Sequence, residues 1–402
     1  MTEQTATRTD IAIIGGGTVG SALALGITQR TAFSVTVIDA NTLDNSQQHP
    51  GFDARVIALA RRTVDEFTAL GADISQSNAA PIQHIQVSDK GAAGLCNLHA
   101  DAFGLDAFGH VIALSALGPI LNSAIGHAAK RIENTSVKSA QQSNEQVALC
   151  LSNGETLSAR LVVLADGGRS TLAESLGFER RAEPYDQVAV ICNVTLSEPH
   201  QNKAYERFTP DGPLAFLPFN TDKKNAGNTF SVVWTVRPEL AEQLVAMTDA
   251  QFIRALQKAF GYRHGTIRQA GERQQYPLAL RHTDRLIAHR VAVVGNAAQT
   301  LHPIAGQGFN LGLRDVITLT HTLTNNDDPG SFSVLRDYAR ARQPDRDQTI
   351  WLTDTLVRSF SNTMKPLVAG RNIGLIAMDN LHAIQQRFVR QTTGYGPSTT
   401  GN

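Results

Sequence analysis

Three glycines, Gly15, Gly17 and Gly20, separate an apolar run, Ile11 to Ile14, from a helix-like stretch, Ser21 to Gln29. A second run, Ser34 to Ile38, ends in Asp39. Strand, glycine turn, helix and strand within roughly 30 residues make a βαβ unit. Each glycine then has a mechanical task. Gly15 permits the tight turn, Gly17 lets the backbone approach a pyrophosphate, and Gly20 lets helix and strand pack closely. The N–H groups at the helix start face the anion. Asp39 lies 19 residues beyond Gly20, where a carboxylate accepts hydrogen bonds from an adenosine ribose. An acid there repels a 2′-phosphate, so FAD and NAD fit this turn better than NADP.

Composition excludes several other classes. The chain has 402 residues, enough for two to three domains at ~150 residues each. With 42% hydrophobic and 18% charged residues it reads as globular rather than disordered. The 36 basic and 36 acidic residues cancel, so bulk charge gives no grip on nucleic acid. Cys96, Cys150 and Cys192 form no CxxC and no zinc pattern. A dithiol centre and a structural metal are therefore not expected, and a reducing, cytoplasmic setting is. The twelve histidines show no HxH or HExxH, and no GxSxG is present. Met1 to Asp10 has no apolar core of a signal peptide, and no apolar run reaches membrane-spanning length. Pro366 to Ile384 is apolar but interrupted by Arg371, Asn372, Asp379 and Asn380. It reads either as a packed C-terminal helix or as a surface that meets membrane or partners.

The remaining pattern is α/β. Residues 40–52 read as a loop, and the spacing predicts a helix from Arg55 to Leu70. Ile82 to Ser88 alternates like a strand, and Leu114 to Ala129 reads as a helix with Pro119 near its start. A hairpin turns at Asn153-Gly154. Arg160 to Asp166 and Val291 to Val294 are buried-type parallel strands. Between them, Val188 to Val194, Ala204 to Phe208, Leu214 to Leu217 and Phe230 to Val236 suggest an antiparallel sheet, with two helices between Pro238 and Phe260. These readings predict a Rossmann-like nucleotide domain from 1–75, 110–180 and 282–325. An inserted, mostly antiparallel sheet domain takes 76–109 and 181–281, and a helical region takes 326–402.

Two later segments narrow the ligand. LVVLADGGRS delivers Asp166 and Gly167 at a strand end, and VAVVGNAAQTLHPIAGQGFNLGLRD delivers Gly295-Asn296, Pro303, Gly306 and Gly308 before a helix. Together with GxGxxG, this order resembles the class A flavoprotein aromatic hydroxylases, which share the p-hydroxybenzoate hydroxylase fold. Within that family, HPGFDARVIALA (49–60), YERFTPDGPLAFLP (205–218) and GNAAQTLHPIAGQGFNLGLRD (295–315) look most like the 2-octaprenyl-6-methoxyphenol hydroxylases of ubiquinone biosynthesis. Two departures stand out. Asn296 replaces the family's usual Asp, keeping hydrogen bonds to the ribityl chain without the charge. Ala173 occupies the place of an Arg linked to orienting NADPH and FAD.

The resemblance implies FAD as resident cofactor, NAD(P)H as transient reductant and O₂ as co-substrate, with a flavin C4a-hydroperoxide hydroxylating a polyprenylated phenol. The N–H groups of Gly308, Phe309 and Asn310 would face the flavin's N1–C2=O edge. Arg55, beside Asp53, would reach the ribityl or ring region, and Pro303 would wall the ring. Gln299 and His302 share that turn, with His302 a weak candidate for a proton relay. Ala215 to Phe219 is apolar enough to line an aromatic pocket or simply to pack. A nearly insoluble substrate implies lipid contact, peripheral to the inner membrane, and other ubiquinone-biosynthesis proteins as partners. Three alternatives stay open: a sister hydroxylase acting on another ring carbon, a prenyl-lipid flavoprotein reductase, and a subunit that keeps FAD structurally.

Overall fold

Ile11 to Ile14 and Leu161 to Leu164 are apolar at every position, a pattern that needs cover on both faces of a sheet. In the computed structural model, which describes residues 7–42, 55–220, 227–303, 306–360 and 365–395, both runs lie in the core. Five strands pair in parallel in the order Val291–Val293, Thr156–Leu164, Thr7–Ile14, Val35–Ile38 and Lys130–Ile132. The hairpin through Asn153-Gly154 joins Val147–Leu151 to Thr156–Leu164. Helices Thr18–Arg30, Leu114–Ile125 and Gln307–Leu323 pack with this sheet in one apolar core.

The second sheet has nine strands. Its strands are antiparallel except where Lys203–Thr209 runs parallel to His84–Asp89. Period-two alternation divides its side chains between two faces. Leu214, Phe216, Val232 and Trp234 pack under helices Pro238–Ala246 and Asp249–Phe260, with Phe216 stacked on Phe260 at 3.8 Å between ring centres. Ala215, Leu217 and Val233 point the other way, into a cavity.

Local structure departs from the sequence expectations at four places. The helix expected from Arg55 begins only at Arg61; Val56–Ala60 is a strand paired with Gly109–Ala113. A short β-branched run supports either period, and here the partner strand decides. Pro119 lies past the first turn of Leu114–Ile125, where its missing N–H leaves the Ser115 carbonyl without its helical donor. The strand read as Val188 to Val194 extends over Arg180–Leu196, with an irregularity between Pro184 and Gln187. Gln299–Thr300, inside the stretch expected for the nucleotide domain, pairs with Arg281 and His282 of the second sheet. Most of the loop read at 40–52 lies outside the described residues, as does Asp53.

The C-terminal helices Lys365–Asn380 and His382–Thr392 close over the second sheet. Arg371 Nε donates to the buried Asp89 carboxylate at 2.7 Å, and Asn372 Oδ1 accepts from the Gly94 N–H at 2.6 Å. Leu375 is buried, whereas Ile373 is 67% exposed. Among the described residues, no helix is long and apolar enough to cross a membrane, and no cluster of metal-ligating side chains occurs.

Candidate active site

Four loops leave the carboxyl ends of the parallel strands and meet at one cavity of about 700 Å³. They bring Gly15, Asp39, Asp166 and Gly295 to its wall. This is where open α/β sheets bind ligands. Gly15 adopts φ +106°, and a Cβ there would lie 2.6 Å from the Ala165 carbonyl oxygen. A Cβ on Gly20 would lie 1.8 Å from the Gly15 carbonyl oxygen. Neither position accepts a side chain without moving backbone. Gly17 lines the cavity; Gly20 does not, and serves only the packing.

Acids hold these loops. Asp39 accepts from the Gly16 N–H at 2.5 Å and the Asn41 N–H at 2.7 Å, so it shapes the turn while lining the cavity. Asp166 accepts from the Gly168 N–H at 2.9 Å, the Ser170 N–H at 3.2 Å and the Ser170 hydroxyl. Arg180 donates to the carbonyls of Gly168 and Ser170, both at 3.0 Å. Ala173 is fully buried, so the cations at this turn come from Arg169, on the cavity wall, and Arg180. The Gly295-Asn296 turn depends on Asp315, which is fully buried and accepts from the Gly295 N–H at 3.0 Å and Gln299 Nε2 at 2.8 Å. Arg342 donates to its other oxygen at 2.8 Å, and that pairing holds the guanidinium pKa above its usual value against the cost of burial.

Two helices point their N-termini at this cavity. Thr18–Arg30 starts at Gly17 and Gln307–Leu323 starts at Gly306. Neither has a side-chain cap or an acid in its first turn. Helix Asp249–Phe260, away from the cavity, has both a full capping box and Asp249. Bare helix starts present N–H donors and positive dipole ends to whatever lies between them. Pro303, Gly306, Gly308 and Phe309 line the cavity beside the second of these starts. Asn310 does not reach it. Its side chain accepts from the Ala60 N–H at 2.8 Å and donates to the Ala58 and Gly306 carbonyls, tying the helix start to the neighbouring strand. His302 is fully buried against Tyr185 and away from the cavity wall, and burial pushes its pKa down to about 4. Its place away from the cavity wall argues against the proton-relay role. Arg55 lines the cavity with its guanidinium 5.6 Å from the Tyr276 ring centre.

The opposite wall is the bare face of the second sheet, joined by Leu375, Met378 and Phe388 from the C-terminal helices. Among the described residues, one charged side chain, Glu206, interrupts its apolar surface.

A model of the FAD binding domain family matches residues 8–351. The chain belongs to this family of FAD-dependent hydroxylases. The ubiquinone hydroxylase UbiL of Rhodospirillum rubrum is 34% identical to it, covering 96% of this chain and 89% of that protein. The 3-demethoxyubiquinol 3-hydroxylase of Escherichia coli is 31% identical, covering 96% of this chain and 98% of that protein. Among solved structures, p-nitrophenol 4-monooxygenase from Pseudomonas putida shares the fold, with a TM-score of 0.78, 18% identity and coverage of 97% and 99%.

As a flavin-dependent monooxygenase, the chain uses FAD. The residues present suit that group: two uncapped helix starts and a carboxylate at a strand end converge on one elongated cavity. Sequence reasoning missed Asp315, Arg180 and Glu206. Asp315 carried a faint signal, as an acid at helical spacing between the buried Leu311 and Leu319. Arg180 and Glu206 carried none, because their roles depend on sheet register.

Proposed function

We propose that this flavoprotein hydroxylates the aromatic ring of a polyprenylated phenol, with NAD(P)H as reductant, in ubiquinone biosynthesis. The observation that carries the reading is the pairing of a polar, helix-start wall with an apolar sheet wall in a single cavity. The two relatives named above support the pathway. When bound, FAD supplies the redox chemistry, accepting hydride and activating O₂. The protein's share is binding, orientation and exclusion of water. The N–H groups at Thr18 and Val19 would hold the pyrophosphate, and Asp39 would hold the ribose. Asp166, Asn296 and Arg55 would hold the ribityl chain. The helix start at Gly308 and Phe309 would offer N–H donors and a positive dipole end to negative charge on the flavin. Leu217, Val233 and Ile191 would hold the phenol ring, and Leu375, Met378 and Phe388 would shield it from water.

The ring position follows the resemblance to the 2-polyprenyl-6-methoxyphenol hydroxylases. The 3-demethoxyubiquinol 3-hydroxylase relative favours a second reading, in which another ring carbon is attacked. Complementation separates the two. A strain lacking the 6-methoxyphenol hydroxylase receives this chain or its Gly15→Val variant, and quinones are extracted for mass spectrometry. Ubiquinone restored by the wild type alone supports the first reading. Rescue confined to a strain lacking the demethoxyubiquinol hydroxylase supports the second.

We also propose that the protein works at an anionic lipid surface. Ile373, Ile376, Leu381 and Ile384 are exposed on the outer side of the two C-terminal helices whose inner side lines the cavity. Apart from Arg371, which is paired with Asp89, residues 365–395 carry Lys365, Arg387 and Arg390 against Asp379 alone, in a chain of zero net charge. Sedimentation with anionic vesicles should retain the wild type and lose an Ile373→Ser, Ile376→Ser variant. Equal retention of both would contradict the surface.

A further inference from the structure

Strand register sets Glu206 in a row. Val87, Glu206, Ala215, Val233 and Ile191 stand side by side across four strand pairings. All five line the cavity. Along its own strand, Ala204 and Phe208 share that face. One carboxyl thus lies amid an apolar floor, facing the helix-start wall.

A structural role for it is hard to find. Among the described residues, the Glu206 carboxyl makes no hydrogen bond or ion pair with any side chain or backbone group. The charged groups on the elements around it are committed elsewhere. Asp89, on the same face of the adjoining strand, is paired with Arg371 of the helix above. Arg207 points to the other face, donating to the Ala259 carbonyl. Arg55 lies against the Tyr276 ring. Helix residues Leu375, Met378 and Phe388 bring no charge to the cavity. Burial alone pushes the carboxyl up to about 7. An unsatisfied ionisable group in an apolar wall costs stability, and such groups collect at working sites.

Resting on the function proposed above, we propose that Glu206 accepts the hydroxyl proton of the phenol substrate. The O–H bond breaks toward oxygen, the electron pair stays on the phenolic oxygen, and the proton moves to a Glu206 carboxylate oxygen. The ring becomes electron-rich, and the neutral carboxylic acid then donates a hydrogen bond back to the phenolate. A base whose pKa lies near neutrality suits this task better than an ordinary carboxylate does. The same contact fixes the ring's rotation in a floor that otherwise offers only apolar surface.

The test uses purified FAD-loaded protein with a 2-methoxyphenol carrying a short prenyl chain. Hydroxylated product is measured per NAD(P)H consumed from pH 5.5 to 9, alongside the ultraviolet difference spectrum of the bound phenol. The wild type should show product formation rising through an inflection near pH 7, with a phenolate band rising in parallel. Glu206→Gln should stay folded and keep its flavin. It should lose product by roughly 100-fold or more, the scale of acid–base catalysis, and lose both the inflection and the band. Glu206→Asp should restore part of each. Product within twofold of wild type in Glu206→Gln would overturn the assignment, as would a reduced rate with an unchanged inflection and band. A wild type that loads FAD yet hydroxylates no prenylated phenol would instead overturn the function beneath it, and the assignment with it.

Discussion

The two walls of the cavity are built by different rules. The nucleotide wall is made of loops whose backbone groups do the binding, each loop held by an acid: Asp39, Asp166 and Asp315. The sheet wall is made of side chains, and backbone takes no part in it beyond setting register. A backbone site tolerates almost no change in residue type, since the required conformations and approaches belong to glycine. A side-chain floor can be refitted one residue at a time. One half therefore suits a cofactor common to a whole family, and the other suits a substrate peculiar to each member.

The largest effect should come from the nucleotide wall. Gly20→Val places atoms 1.8 Å from the Gly15 carbonyl. The variant should purify without flavin, read by its absorbance near 450 nm as about a tenth or less of wild-type loading. A fully yellow variant would break the contrast. Next comes the support beneath that wall. Asp315→Ala strips Gly295 and Gln299 of an acceptor and leaves the buried Arg342 with Asp345 as its one remaining carboxylate among the described residues. Urea denaturation should show a loss of about 3–5 kcal/mol, with FAD binding weakened in step.

The sheet wall should respond differently. Ala215→Phe fills the floor beside Glu206. FAD loading should hold while affinity for the prenylated phenol falls by about 1–3 kcal/mol, as overpacking predicts. Titrating the phenol against flavin absorbance reads both at once. The smallest effect is one of stability against pH. Burial raises the Glu206 pKa from 4.5 to about 7, so the folded state keeps a proton that the unfolded chain releases. Stability should fall as pH rises through that interval and stay lower above it. Glu206→Gln should therefore melt a few degrees above the wild type at pH 8 and level with it at pH 4. Equal melting points at pH 8 would mean that the carboxyl is well solvated.

The same contrast governs what could be read before the structure. Gly15, Gly17, Asp39, Asp166 and Gly295 were legible because each sits at a strand end, where only a few residue types can do the job. Asn310 was read as a flavin contact through its neighbours, yet its side chain ties together segments some 250 residues apart. No local pattern encodes such a partnership. His302 was visible as a candidate by proximity in sequence, and only its burial reveals it as a packing residue. Val56–Ala60 fits a helical period as well as a strand, because five residues are too few to separate the two. Glu206 stood in plain view within YERFTPDGPLAFLP, but which face it takes follows from pairing with Val87 and Ala215.

In the proposed function the two walls meet over a ring that receives oxygen. The direct test is turnover of a prenylated 2-methoxyphenol by the purified holoprotein with NAD(P)H under ¹⁸O₂. The product should carry one labelled oxygen on the ring, formed by the wild type and lost in Gly20→Val. Consumption of NAD(P)H with an unlabelled, reduced prenyl product would contradict it and assign the cavity to a reductase.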